Sequence, residues 1–307
     1  MKPILRILIF LFLTIYVESA QSEKHLMKRQ IYGGWQSSDS HYYPYQVYLR
    51  RNGWQRPSWL PTIAHSLPYI TNWFVMPFHC GGVIISEYHV LTAAHCILGN
   101  PESEVNRIEV VAGSNKRIDS SAVVHKVQSI AVHDQPRFFY DIGDIAVIKV
   151  AEPFKFSSKI QPVKLPKHNY VVAPRTPVVV TGWGETEDMY SVDYLHVLVM
   201  RVVEIEQCRK SWLKLYRQTV PLHSYLLDFK KLVHDSMICI QGRGGQSICA
   251  GDSGGPAVTI DGLLVGIVSF GSRPCGNENK TPDVFTRVAY YIPWIKKHTE
   301  PEIEVVQ

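Results

Sequence analysis

Charge is scarce in this 307-residue sequence: Asp, Glu, Lys and Arg make up 19% of it, against 46% hydrophobic residues. Such a balance excludes a disordered polyelectrolyte, and 20 glycines and 19 prolines are too few for a collagen-like or low-complexity chain. Long runs of Lys and Arg are missing, so nothing calls for a nucleic-acid partner. The formal charge is only +5, and residues 1–30 hold a large part of it in Lys2, Arg6, Lys24, Lys28 and Arg29. No Cys-x-x-Cys pair and no His doublet at ligand spacing occurs, so the sequence carries no signature of a zinc centre, and no metal or other cofactor is expected. Beyond the first twenty residues no stretch approaches the ~20 apolar residues of a spanning helix. What is left is a chain long and apolar enough to bury a large core.

Lys2 and Arg6 flank an apolar run from Ile7 to Val17, followed by Glu18-Ser19-Ala20. A basic start, a short apolar run and a small-residue exit describe a secretory signal peptide over residues 1–19. The mature protein is therefore expected outside the cell, without a membrane anchor. An oxidising compartment makes disulfides of Cys80, Cys96, Cys208, Cys239, Cys249 and Cys275, though spacing alone does not choose their pairing.

Short apolar runs separated by turn residues follow. Tyr45–Leu49, Gly82–Ile85, Ile108–Val111, Ile145–Val150, Val178–Val180, Leu198–Val203, Ala257–Ile260 and Leu263–Phe270 read as strands. Helical periodicity is weak until Tyr290–Thr299, where Ile292, Trp294, Ile295 and His298 suggest one short amphipathic helix. The fold class is all-β, a sandwich or barrel.

Three strings carry chemistry: Leu91-Thr92-Ala93-Ala94-His95-Cys96, Asp141-Ile142-Gly143-Asp144-Ile145-Ala146-Val147 and Gly251-Asp252-Ser253-Gly254-Gly255-Pro256. Taken singly they are a histidine near a cysteine, a turn aspartate and a tight glycine turn. Together they supply a base, an orienting carboxylate and a nucleophile, the requirements of hydroxyl-based acyl transfer. Gly251-x-Ser253-x-Gly255 also satisfies the nucleophile elbow of α/β-hydrolases. There the serine precedes its acid and histidine on a parallel sheet with helices. Here the order is His, Asp, Ser, and long helical patterns are missing.

The chain resembles chymotrypsin-family (trypsin-like) serine endopeptidases, in a variant like those of arthropods, from Ile31 to about residue 299. Further matching strings are Ile31-Tyr32-Gly33-Gly34, Cys80-Gly81-Gly82, Thr181-Gly182-Trp183-Gly184, Met237-Ile238-Cys239 and Val284-Phe285-Thr286-Arg287-Val288. The resemblance implies two antiparallel six-stranded β-barrels with a short C-terminal helix and a catalytic cleft between them. It implies residues 20–30 as an activation propeptide and 31–307 as the peptidase domain, with barrels over 31–150 and 151–288 and the helix over 289–299. It pairs Cys80 with Cys96, Cys208 with Cys239, and Cys249 with Cys275. His95, Asp144 and Ser253 become the catalytic triad, and the backbone N–H groups of Gly251 and Ser253 the oxyanion hole. The resemblance implies protein or peptide substrates, admits a protein inhibitor or exosite partner, and leads to the expectation of a monomer.

Two departures stand out. In the family, cleavage before the Ile-Val-Gly-Gly string frees an ammonium that pairs with the Asp beside the nucleophile, here Asp252. In this sequence Tyr32 replaces the small aliphatic residue, and Gln30 separates Arg29 from Ile31. Cleavage after Gln30 and trimming after a cut at Arg29 both remain open. A catalytically silent homologue acting as a binding or cofactor protein is the alternative to a zymogen.

For specificity, the resemblance places the floor of the primary pocket at Ser247, where trypsin-like enzymes carry Asp. Asp283 stands where a pocket-wall glycine is usual, and it either enters the pocket or points to solvent. Ala250 and Gly271 leave the entrance open, Phe270 offers an apolar surface to neighbouring subsites, and the backbone of Ser269 and Gly271 is expected to pair with extended substrate. Two long connections, Arg50–His79 with its aromatic residues and Cys208–Cys239 with Trp212–Arg217, are expected to restrict access, bind a partner or simply pack on the barrel. Asn279-Lys280-Thr281 is a glycosylation sequon followed by Pro282.

Overall fold

Two sheets close on themselves through their strand pairings in the computed structural model, which describes residues 34–37, 43–51, 80–97, 100–117, 119–133, 143–186, 193–219, 232–276, 281–299 and 303. β1 (Trp35–Gln36) is followed by β2 (Gln46–Arg51), β3 (Cys80–Ile84), β4 (His89–Thr92), β5 (Ile108–Ala112), β6 (Val123–Val132) and β7 (Ala146–Val150). Strands β2 to β7 form a closed antiparallel barrel in the order β2-β3-β4-β7-β6-β5. Closure removes the unpaired sheet edges that invite aggregation. Val47, Leu49, Ile84, Val90 and Ile148 share one face of its strands and are fully buried.

The second barrel consists of β8 (Pro177–Gly182), β9 (His196–Val203), β10 (Met237–Gln241), β11 (Pro256–Thr259), β12 (Leu264–Phe270) and β13 (Asp283–Arg287). Its order is β9-β10-β13-β12-β11-β8, closed by β8 against β9. β1 joins this barrel, with Trp35 opposite Val197 and Gln36 opposite His196. The span 31–150 is thus not wholly first barrel: its first strand belongs to the second.

Among the described residues three α-helices accompany the barrels: α1 (Pro101–Glu104), α2 (Ile205–Thr219) and α3 (Val288–Lys297). Asn100 caps α1 by accepting the Glu102 N–H at 3.0 Å. α3 starts and ends two residues before its sequence-predicted bounds and buries Val288, Ala289, Tyr291, Ile292 and Ile295. Val288, Tyr291, Ile292 and Ile295, with Ile303, share one cluster with the first-barrel core.

α2 corrects the expectation that long helical segments are missing. Its inward residues include Cys208 and Arg209, so its apolar stripe is interrupted in the sequence. The Arg209 guanidinium donates to Val233 O at 2.9 Å and to Asp235 at 2.6 Å, and also to Glu206. Five strands, β1, β4, β6, β10 and β13, go beyond the runs that the sequence marks out as strands. In β6, His125, Lys126, Gln128 and Ser129 break the apolar alternation.

The cysteines pair as Cys80–Cys96, Cys208–Cys239 and Cys249–Cys275, the pairing that the resemblance implies. Bonds closing loops of this size contribute ~2–4 kcal/mol each.

Candidate active site

Asp144 lies just before β7 and is fully buried, and its carboxylate is completely engaged. Oδ1 accepts the His95 backbone N–H at 2.9 Å, and Oδ2 lies 2.8 Å from His95 Nδ1. The Ser269 hydroxyl also donates to Oδ2, at 2.5 Å, and the Thr286 hydroxyl donates to the Asp144 carbonyl at 2.6 Å. Burial pushes the Asp144 carboxyl up, but the His95 ring and these donors outweigh it and hold it below the usual carboxylate range. A carboxylate on Nδ1 leaves Nε2 as the basic nitrogen of the ring. The His95 side chain is about a third exposed, so it is open on one side while its far nitrogen is fixed.

Ser253 comes from the other barrel, and the backbone binds the two across the seam. The Gly81 N–H of β3 donates to Ser253 O at 2.7 Å. Gly254, at φ +76°, presses against Thr92 and Ala93; a Cβ there would lie 2.2 Å from Thr92 Oγ1 and 2.4 Å from Gly81 O. Only glycine fits that approach. The turn is held by the Asp252 N–H on Cys249 O, the Gly254 N–H on Val268 O and the Gly255 N–H on Asp252 O. Among the described residues no protein acceptor takes the N–H of Gly251 or Ser253. Both residues expected to form the oxyanion hole belong to this turn.

Asp252 points away from Ser253 into a cradle. Its carboxylate accepts the Gly184 N–H at 2.8 Å and the Cys249 N–H at 2.9 Å. Cβ atoms on Gly182 or Gly184 would fall 2.1 Å and 2.5 Å from it, so both glycines of the Thr181–Gly184 string make room for this carboxylate. Burial raises its pKa to about 6, against the two N–H groups, with Glu185 adding to the rise. A buried carboxylate so raised is matched to a cation.

In the expected primary pocket the Ser247 hydroxyl accepts the Gly276 N–H at 2.7 Å. Asp283 turns inward and is 2% exposed, so of the two orientations that the sequence leaves open the solvent-facing one is excluded. Its Oδ2 accepts the Ile248 N–H at 3.0 Å, and a Cβ on Gly271 would come within 2.6 Å of Oδ1. Gly271 therefore gives space to the Asp283 carboxylate. Burial drives the Asp283 carboxyl well above its ordinary value, the Ile248 N–H opposes this, and the nearby Asp252 reinforces it. Phe270 meets the α2 residue Trp212 edge-on at 5.2 Å, and Trp212 Nε1–H donates to Pro282 O at 2.9 Å. Trp212 thus packs on the barrel.

Local motifs do not point to the side-chain roles of Ser269 and Thr286, which approach Asp144 from 125 and 142 residues away along the chain. The paired glycines about Trp183 are the one signal in the sequence for the Asp252 cradle. Ile31, residues 52–79 of the long first connection, part of the second and the Asn279 sequon lie outside the described residues. Sγ of Cys80 and Cys96 and a nitrogen of His95 lie within 4.8 Å of one another, but both sulfurs are spent in a disulfide and offer no thiolate. Among the described residues no helix is long and apolar enough to cross a membrane.

A trypsin family model matches residues 34–295. The chain is 34% identical over 250 residues to the clotting factor G beta subunit of Tachypleus tridentatus, covering 76% of each. It is 33% identical over 233 residues to chymotrypsin-2 of Vespa crabro, covering 75% of this chain and 94% of that one. Among solved structures, the scabies mite inactivated protease paralogue S-D1 superposes with a TM-score of 0.67 at 25% identity, over 90% of this chain and all of that one.

Proposed function

The chain belongs to the trypsin family of serine proteases, and from that premise we propose that it is a working endopeptidase, secreted and made as an inactive precursor. The observation that carries this reading is the fully bonded Asp144 beneath His95, across the seam from a turn that presents two free N–H donors. His95 Nε2 takes the Ser253 hydroxyl proton as Oγ attacks the peptide carbonyl. Asp144 fixes the tautomer and offsets the charge of the imidazolium. The Gly251 and Ser253 N–H groups stabilise the oxyanion, a single such donor being worth ~3 kcal/mol. The imidazolium then gives its proton to the leaving amine, and water hydrolyses the acyl-enzyme by the same route.

In this reading residues 1–19 are removed on secretion and 20–30 at activation, and the freed ammonium of Ile31 enters the Asp252 cradle. Ala250, Phe270 and the backbone of Ser269 and Gly271 line the path of an extended protein or peptide substrate. The Asp283 carboxylate, buried at the wall of the pocket, favours Arg or Lys ahead of the scissile bond. Six residues earlier than Ser253, the neutral Ser247 leaves room for apolar side chains as well.

The second reading is a silent homologue that binds rather than cuts. Gln30 and Tyr32 at the activation site favour it, as does the likeness to an inactivated mite paralogue. Retention of His95, Asp144 and Ser253 speaks for chemistry. A fluorophosphonate probe should label the processed protein at Ser253 and leave Ser253→Ala unmodified. An unlabelled processed protein, with protein substrates left intact, overturns the enzyme reading in favour of the silent one.

A further inference from the structure

Asn115, in the connection between β5 and β6, is the meeting point of three segments that are distant in sequence. Its side-chain amide donates to Ser37 O at 3.1 Å. Its carbonyl accepts two bonds, from the Trp183 indole N–H at 3.0 Å and from the Leu195 N–H at 2.6 Å. Leu195 O in turn accepts the Ser37 N–H at 2.8 Å, which closes a small circuit through Ser37, Leu195 and Asn115.

Two of these partners, Ser37 and Trp183, belong to segments that the proposed activation uses. Ser37 ends the segment Gly34–Ser37, whose β1 strand lies on the second barrel and which follows Ile31 closely. Trp183 stands between Gly182 and Gly184, the two residues that cup Asp252. Its indole is 2% exposed and meets Tyr48 edge-on at 5.8 Å, so the side chain fixes the backbone on either side of it. That backbone also supports the oxyanion turn: the Glu185 N–H donates to Ala250 O at 2.7 Å, and a Cβ on Gly251 would lie 3.1 Å from Gly184 Cα.

Asn115 is itself held by a self-wound turn. Asp119 accepts the Ser114 hydroxyl at 2.5 Å and both the N–H and the hydroxyl of Ser121 at 2.8 Å, while the Lys116 N–H donates to Ser114 Oγ at 2.9 Å. Lys116 pairs with Tyr194 in an isolated bridge and lies 5.1 Å from the centre of its ring. A residue held this firmly transmits a displacement of one partner to the others.

We infer that Asn115 is a positioning residue that couples the seating of the amino-terminal segment at Ser37 to the shape of the Asp252 cradle through Trp183. The inference rests on the reading of the chain as an enzyme activated by a new amine at Ile31. Weaker coupling lowers the fraction of molecules whose ammonium is docked, and it does so without touching a reacting group. The docked state holds the amine protonated, so the apparent pKa of that amine reports the coupling directly.

The test uses the processed protein, Asn115→Ala, and Asn115→Asp, which sets a carboxylate against the Ser37 carbonyl. With a small peptide ester, kcat/KM of Asn115→Ala should fall roughly three- to tenfold, the effect of one hydrogen bond. Its alkaline limb should move down by about half to one pH unit, and Asn115→Asp should lie further in the same direction. Carbamylation of the Ile31 amine by cyanate should be faster in both variants. An unmoved alkaline limb and unchanged carbamylation overturn the inference, whatever happens to thermal stability. Protection of the amine is readable even in a protein that does not cut, so failure of the enzyme reading and failure of this coupling give different results.

Discussion

Asp283 bears on stability and, in the proposed reading, on specificity. Its carboxyl sits above its ordinary pKa because it is buried with, among the described residues, a single N–H donor and no cation. A folded-state pKa raised above the unfolded value means stability that is present at low pH and is lost as pH rises through the folded value. Asp283→Asn should therefore raise the melting temperature at pH 8 and change it little at pH 4, as measured by thermal denaturation. The same ionisation creates the negative charge that a cationic substrate needs. In the wild type the kcat/KM ratio of an Arg substrate over a Tyr substrate should rise from pH 5 to 9. In Asp283→Asn it should be flat and lower by roughly 10- to 100-fold at pH 8, the span of a charge-assisted hydrogen bond. A pH-independent ratio in the wild type would exclude Asp283 from the pocket's work.

Among the elements, legibility follows chemistry more than periodicity. β8 and β12 are visible as near-continuous runs of Val, Leu and Ile, and β2 and β5 through Val47, Leu49, Ile108, Val110 and Val111. β6 is not, because its outward residues Lys126, Gln128 and Ser129 and its inward His125 erase the contrast. α2 is hidden for a related reason: its inward residues are a disulfide cysteine, an arginine neutralised by Asp235 and Glu206, and a half-buried tryptophan that meets Phe270 edge-on. None of those pairings is encoded locally. The proposed triad is legible as three strings, whereas Ser269 and Thr286 become partners of Asp144 only once the barrels are assembled. Trp212 has a definite task, since it braces Phe270 and the Pro282 carbonyl from α2. Trp212→Ala should lower stability by about 2–4 kcal/mol in urea denaturation. It should also raise KM for peptides extended on the acyl side while leaving a minimal ester unaffected. Equal effects on both substrates would detach α2 from the subsites.

For the whole molecule, Asp252, which meets no cation among the described residues, predicts what the proposed activation does to stability. With a folded pKa of about 6 against an ordinary 3.8, the ionised cradle costs the precursor up to about 3 kcal/mol, a cost that sets in as pH rises from about 4 to 6. The processed protein, with an ammonium in place, avoids that cost until its amine deprotonates. The melting-temperature difference between processed and unprocessed protein should be small at pH 4, grow through pH 6 and shrink again at strongly alkaline pH. A constant difference across this range would place the amine elsewhere. The histidines add an opposite trend common to both forms: burial lowers His89 and His196 to about 4, so the stability they contribute above pH 6.5 is lost as pH falls toward 4. The exchange of the chain's extremities between the barrels has its own mechanical outcome. β1 is laid on the second barrel, and α3 with Ile303 is sunk into the core of the first, so neither half can melt without pulling a piece out of the other. Calorimetry should record one endotherm rather than two, and a protease nicking the link between the halves should leave them clasped together.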